Sequence, residues 1–306
     1  MAEGRAGSQA DGRRQLSGAL MMAVGAIAFS GKAVIIKLAY RHGVDALTLL
    51  ALRMAFSAPL FLALAIWASR SEAATPIPRR DGWSIIVLGI IGYYLASYFD
   101  FLGLQYVTAA LERLLLFIHP TFVVLLSAAL FGRRITRRDV VAIVLSYLGI
   151  FAVFANELTT QPGNVLLGSF WVLLSALLYA AYLIGGGRLV ARVGSLRFAS
   201  YAGLVSSVAV LAHFAVASDI SRIATQAPPV YWLSLLMALV STVLPIVLTS
   251  EAIRRIGASH ASIVGSVGPV ATIFLGAVFL AEPITAVQLA GAALVLAGVL
   301  AISLKR

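Results

Sequence analysis

Lys32 lies near the middle of a mostly apolar run, Ser17 to Ala39. A charged group at the centre of a lipid-embedded helix costs about 2.5 to 3.5 kcal/mol on insertion scales, so it needs a partner or a task. Its ammonium can meet the carboxylate of a ligand, or it can pin helices together through an ion pair, and the spacing leaves both open. Arg53, Asp100 and Glu112-Arg113 fall toward the outer ends of their runs, where structural or interfacial roles suffice, and Lys37 is close enough to an interface to snorkel. Aromatic residues form a second set. Trp171, Ser175, Tyr179 and Tyr182 recur at i, i+4, i+8 and i+11, and Tyr94, Tyr98 and Phe101 at i, i+4 and i+7, with Tyr93 and Ser97 alongside. Such stripes stack on apolar or aromatic ligands while their hydroxyls bond a polar head, although Tyr and Trp also gather at membrane interfaces or simply pack. His119-Pro120 and Gly268-Pro269 interrupt two further runs near mid-length. Proline deletes a backbone hydrogen bond and frees carbonyls, which suits a hinge or a ligand contact; His119 equally reads as an interior histidine satisfied by its neighbours. The expected substrate-binding set is therefore Lys32, Tyr94, Tyr98, His119, Trp171, Ser175, Tyr179 and Tyr182, with Pro120 and Pro269 as helix breaks.

Catalysis finds no foothold in these residues. The chain has no HExxH, no GxSxG, no paired intramembrane aspartates and no phosphate-cradling loop, since Gly185-Gly186-Gly187 is not followed by Lys-Ser/Thr. Without cysteine there is no disulfide, thiolate zinc site or thiol nucleophile. A non-enzyme without cofactor or metal is expected. The net charge of +11 arises from short clusters of bases between apolar runs, so anionic lipid headgroups, and not nucleic acid, are the expected counterpart.

The elements that must hold these residues are membrane helices. Hydrophobic residues make up 61% of the 306 and charged ones 11%, less than half the roughly 25% charged share of soluble domains. A span needs about 20 mostly apolar residues. Ten segments qualify: Ser17–Ala39, Ala46–Ala68, Trp83–Leu104, Val107–Phe131, Val140–Ala155, Val165–Gly185, Leu196–Ala217, Tyr231–Ile253, Ala258–Leu280 and Ala286–Leu304. The fifth is short, and the third and fourth are parted only around Gln105-Tyr106. Outside the spans, every base except Arg41 and Arg222 falls on the side of both termini, which the positive-inside rule makes cytoplasmic. Residues 1–15 read as a disordered cytoplasmic tail. Arg13-Arg14 before an apolar run has the look of a twin-arginine signal, but the run holds Lys32 and lacks a small-residue cleavage site.

Sliding the chain by 149 residues, the interval from Pro120 to Pro269, also superposes Ile135-Thr136 on Ile284-Thr285 and Gly149 on Gly298. Residues 16–155 and 164–306 are thus two five-helix repeats. Because five is odd, the second enters the membrane from the opposite side, giving inverted repeats of the kind found in carriers. The stretch Leu104 to Ile150, with Ala109-Ala110, Pro120, Gly132, Thr136 and Gly149, resembles one EamA repeat of the drug/metabolite transporter superfamily. Ile256 to Val299, with Gly257-Ala258, Pro269, Glu282, Gln288-Leu289, Gly291 and Gly298, resembles the other. Arg133 departs from the pattern, standing where the second repeat has Glu282. Within the superfamily the chain is most similar to bacterial aromatic amino acid exporters.

The resemblance implies a multi-pass protein of a bacterial inner membrane that exports small amphoteric metabolites, amino acids including aromatic ones, by alternating access. Its partners would be that substrate and the bilayer, with one copy sufficient and a dimer left open. Other metabolite, nucleotide-sugar or multidrug carriers of this fold, or a channel, are the alternatives. The expected cavity is lined by the first, third, fourth, sixth, eighth and ninth helices, with the fifth and tenth peripheral. Reporter fusions at both ends should read as cytoplasmic; an external reading at either end removes the topology and the inverted repeat together.

Overall fold

The computed structural model describes residues 2–71, 76–132, 134–160 and 163–303; Arg133 and the end of the chain from 304 lie outside them. Among the described residues nine helices are long and apolar enough to cross a bilayer: α1 (Gln15–Tyr40), α2 (Ala46–Arg70), α3 (Arg79–Gly103), α4 (Ala109–Phe131), α5 (Arg137–Thr160), α6 (Val165–Gly187), α7 (Ser195–Ala217), α8 (Pro228–Gly257) and α9 (Ile263–Leu280). A shorter apolar helix, α10 (Ala286–Ala301), makes the tenth. The fold is a ten-helix membrane bundle of two inverted halves with both termini cytoplasmic. Two expectations change. The fifth span is not short, because its helix continues into polar Asn156 and Thr160 beyond the apolar run. The helix that contains α1 starts at Ala2, so the backbone of the expected tail is helical; once a span supplies the nucleus, each added residue gains a hydrogen bond.

Polar side chains fix the helix ends. Thr108 accepts from Leu111 N–H and Asn164 from Leu167 N–H as N-caps. Before α5, Thr136 N–H donates to Asp139 Oδ2 at 2.8 Å, and Asp139 N–H donates back to Thr136 Oγ1 at 3.3 Å. Before α10, 149 residues on, Thr285 and Gln288 make the same reciprocal pair at 3.1 Å each way. The C-caps also correspond: Gly132 has φ 65° and Ala281 has φ 59°.

Helix packing maps onto itself when the halves exchange. α1 packs on α8 and α9 as α6 packs on α3 and α4, while α2 meets α7 and α5 meets α10 across the pseudo-twofold. At the α5–α10 crossing a Cβ on Gly149 would come within 2.5 Å of the Gly291 carbonyl oxygen, and one on Gly298 within 2.5 Å of that of Ala142, the equivalent contact. Lipid offers no hydrophobic drive between helices, so such small-residue contacts supply the close packing that holds them. Outward faces carry exposed Val140, Val144 and Phe151 on α5 and Phe274 and Val278 on α9, as a lipid contact requires, and Trp67, Trp83 and Trp232 are exposed near span ends.

The irregularities repeat as well. A π-helical segment interrupts α3 at Gly89–Leu95 and another interrupts α8 at Leu239–Val243. α4 breaks at Phe117-Ile118, just before Pro120, and α9 breaks at Ser266-Val267, just before Pro269. Wide turns and broken helices in a bilayer are tolerated only where protein or water re-satisfies the backbone, so four of them at matched depths point to a shared interior space.

Ala281 is the one non-glycine residue with positive φ among those described. Replacing it with Gly removes roughly 1 to 2 kcal/mol of left-handed strain against about 0.5 to 1 kcal/mol of added chain entropy. Thermal unfolding in detergent should show Ala281→Gly slightly stabilised and Gly132→Ala destabilised. Gly149→Val should lower the melting temperature far more than either, since two backbones would have to separate.

Candidate functional site

Between the halves lies a cavity of about 380 Å³. Its lining starts beneath the outer face with Lys32 of α1, Arg53 of α2, Asp100 of α3 and Arg113 of α4. It ends in the cytoplasmic halves of α1 and α8, at Met22, Thr249 and Ser250, and at Gly265 at the start of α9. Between these ends the walls carry Phe29, Tyr93, Phe117, His119, Ser175 and Tyr179. Both π-helical segments contribute: Gly92 and Tyr93 from the first, Ser241 and Thr242 at the equivalent positions of the second. Neither α5 nor α10 reaches the cavity, whereas α2 and α7 do, through Arg53 and Ala199. The lining thus draws on two helices beyond those expected.

Lys32 is a partner before it is anything else. Its Nζ donates to Asp100 Oδ2 at 2.6 Å and lies 3.6 Å from Glu112 Oε1. Glu112 is fully buried, and its carboxyl group lies beside that of Asp100 as well as the Lys32 ammonium. The arrangement ties α1, α3 and α4 together, as a low-dielectric interior demands of charges brought into it. Arg113 sits between two rings, its guanidinium carbon 4.9 Å from the Phe29 centroid and 5.0 Å from that of Phe117, and Nη2 donates to Ser30 Oγ at 3.3 Å. Arg53 donates from Nε to Thr242 Oγ1 at 3.0 Å and covers the Phe101 ring at 5.5 Å.

Of the expected binding residues, Lys32, His119, Ser175 and Tyr179 meet in the cavity. His119 Nδ1 pairs with the Leu116 carbonyl at 2.9 Å, and its ring stands edge-on to Tyr179 at 5.3 Å. The other four do not line it. Tyr94 bonds His213 of α7 at 2.9 Å, and Tyr98 packs on the same imidazole at 5.1 Å. Trp171 stacks on Phe99 at 5.2 Å. Tyr182, 7% exposed, lies against Tyr93 and Phe198 over the Cβ-less Gly92. On α3 the residues that turn toward the cavity are Tyr93, Ser97 and Asp100, one position from Tyr94, Tyr98 and Phe101. Arg53, Asp100 and Arg113, read as structural or interfacial, line the site; their signal was the cost of a charge in lipid, which applied to them as to Lys32.

The outer end is tied shut across the halves. Glu282 Oε1 accepts from Ala109 N–H at 3.2 Å and lies 3.9 Å from Lys37 Nζ, which itself donates to the Val107 carbonyl at 2.7 Å. Arg41 donates to the Leu280 carbonyl at 2.8 Å. Glu157 joins the cluster by accepting from Thr108 N–H and Oγ1.

Ten helices in two inverted halves around one charged, ring-walled cavity define a membrane transporter of the drug/metabolite type. The EamA-like transporter family matches the chain twice, at residues 16–155 and 166–304, and the chain belongs to that family. It is 30% identical to the uncharacterized transporter YcbK of Bacillus subtilis over 94% of this chain and 93% of that one. It is 25% identical to an uncharacterized transporter of Archaeoglobus fulgidus over 83% and 87%. A crystal structure of a protein, 18% identical and covering 94% of this chain and 96% of its own, shares the fold with a TM-score of 0.65. None of these relatives is named for a substrate, so the resemblance to aromatic amino acid exporters gains nothing from them.

Removing the Lys32 ammonium strands two carboxylates. Lys32→Met should cost about 3 to 5 kcal/mol, the usual loss when one partner of a buried ion pair is deleted. Thermal stability should recover in large part only when both carboxylates are neutralised, in the triple variant with Asp100→Asn and Glu112→Gln. A single variant as stable as the parent would mean the ion pair carries no structural weight.

Proposed function

We propose that this chain is a secondary transporter exporting small amphoteric metabolites, amino acids including aromatic ones, by alternating access. The observation that carries the reading is the cavity, whose charged end and aromatic walls adjoin at the interface of the two halves. An amino acid presents the matching pattern: an ionic head for the charged end and a side chain for the rings of Phe29, Phe117 and Tyr179. Alternation is supported by the matched breaks, since two halves with equivalent wide turns and prolines can exchange conformations and so exchange which face is open. Export is supported by the outer closure through Glu282, Lys37 and Arg41 together with a lining that runs toward the cytoplasmic side, where a ligand would load.

The test is flux into proteoliposomes across a panel of amino acids, with and without a proton gradient. Saturable uptake with counterflow supports a carrier; unsaturable conductance selective for ions means a channel. Tyr179→Ala should weaken aromatic substrates by roughly 1 kcal/mol, about fivefold, from lost stacking and burial. Trp171→Ala should leave affinity unchanged, because that ring is packed on Phe99 outside the cavity.

A further inference from the structure

Three cations and two carboxylates meet at the closed end of the cavity, and they do not share the work equally. The Lys32 ammonium is occupied by Asp100 at 2.6 Å and Glu112 at 3.6 Å. The two guanidinium groups are not so occupied. Arg53 is 4% exposed; its Nε is bonded to Thr242, but Nη1 has no partner. Arg113 is 5% exposed, with the Phe29 and Phe117 rings about 5 Å away, a long bond to Ser30 and no partner for Nε. Neither makes a salt bridge with any described carboxylate at 4.0 Å or less. A buried guanidinium with donors to spare is held ready for an acceptor, and the acceptor that matches its planar fork is a carboxylate or a phosphate.

We propose that Arg53 and Arg113, and not Lys32, are the seat of the transported ligand's carboxylate, Lys32 being the counter-ion that keeps Asp100 and Glu112 in place. The proposal rests on reading the cavity as the transport site. Phe29 and Phe117 stand about 5 Å from the Arg113 guanidinium, so a head group that reaches it passes apolar rings, and a carboxylate with an apolar or aromatic tail fits better than a phosphate, whose hydration the rings would strip. All the charge of the site belongs to the first half; the positions equivalent to Lys32, Arg53 and Asp100 are Ala181, Ala202 and Thr249. The ligand head is therefore bound to one half, and the second supplies the wall against its tail.

Equilibrium binding of L-tryptophan, 3-indolepropionate and tryptamine to the purified full-length protein in nanodiscs separates the readings, since the three share an indole and differ in carboxylate and amine. The two carboxylates should bind at least about tenfold more tightly than tryptamine, and Arg53→Gln and Arg113→Gln should each erase that preference. Should either Gln variant fail to fold, the Lys variant keeps the charge but loses the fork, and a severalfold loss for the carboxylates alone is expected there. A parent protein that binds tryptamine as tightly as 3-indolepropionate, that binds none of the three, or that keeps its preference in both arginine variants overturns the proposal. So does inorganic phosphate competing more strongly than 3-indolepropionate. Carboxylate preference without counterflow in proteoliposomes keeps the seat and removes the transport reading; counterflow without the preference does the reverse.

Discussion

A charge inside a lipid-embedded bundle has no bulk water to fall back on, and the whole centre of this protein is arranged around that fact. Coulomb attraction that is worth about 1 kcal/mol in water at 4 Å becomes several times stronger at the effective dielectric of a protein interior, while desolvation grows with it. Lys32, Asp100 and Glu112 must therefore find one another, and in doing so they fix α1 against α3 and α4. The position of the first helix, which forms one wall of the cavity along much of its length, follows from that contact. So does the location of the cavity's polar end, because a site for a charged ligand is least costly where protein charges are already gathered.

The two halves share a backbone plan but not a chemistry. Their caps, wide turns, proline breaks and contact sets coincide at an interval of 149 residues. Backbone irregularity is what a conformational exchange between halves needs on both sides, since each half must be able to take the other's shape. Ligand chemistry has no such requirement. One set of ions suffices, and a second set would double the desolvation cost without adding a site, so the second half can be neutral where the first is charged. The outer closure follows the same logic: Glu282 from the second half reaches the N-terminus of α4, where backbone N–H groups and the helix dipole favour an anion.

The aromatic residues show how packing divides a stripe that looks uniform. In α6, Ser175 and Tyr179 reach the cavity, but Trp171 finds Phe99 and Tyr182 finds the space that Gly92 leaves. A ring buries its area equally well against a neighbour as against a ligand, and only the neighbour's presence decides. The π-helical segment of α3 adds a second source of error, because an extra residue in one turn rotates everything beyond it relative to a regular helix.

The sequence by itself determined the ten spans, their orientation, the inverted repeat and the family, because each rests on quantities summed over many residues: apolar length, the side on which bases fall, and self-similarity at a fixed interval. It also singled out four residues of the cavity: Lys32 from the cost of a charge in lipid, Ser175 and Tyr179 from a stripe at helical spacing, and His119 from its place beside a proline. Only the tertiary structure decided which charges pair. Lys32 meets Asp100 and Glu112 across 68 and 80 positions of chain, while Arg53 and Arg113 make no ion pair within 4.0 Å with any described carboxylate. The same holds for which face of α3 turns inward. Both depend on where one helix stands relative to another, and a charge or a ring carries no record in its own sequence of the neighbour that will meet it.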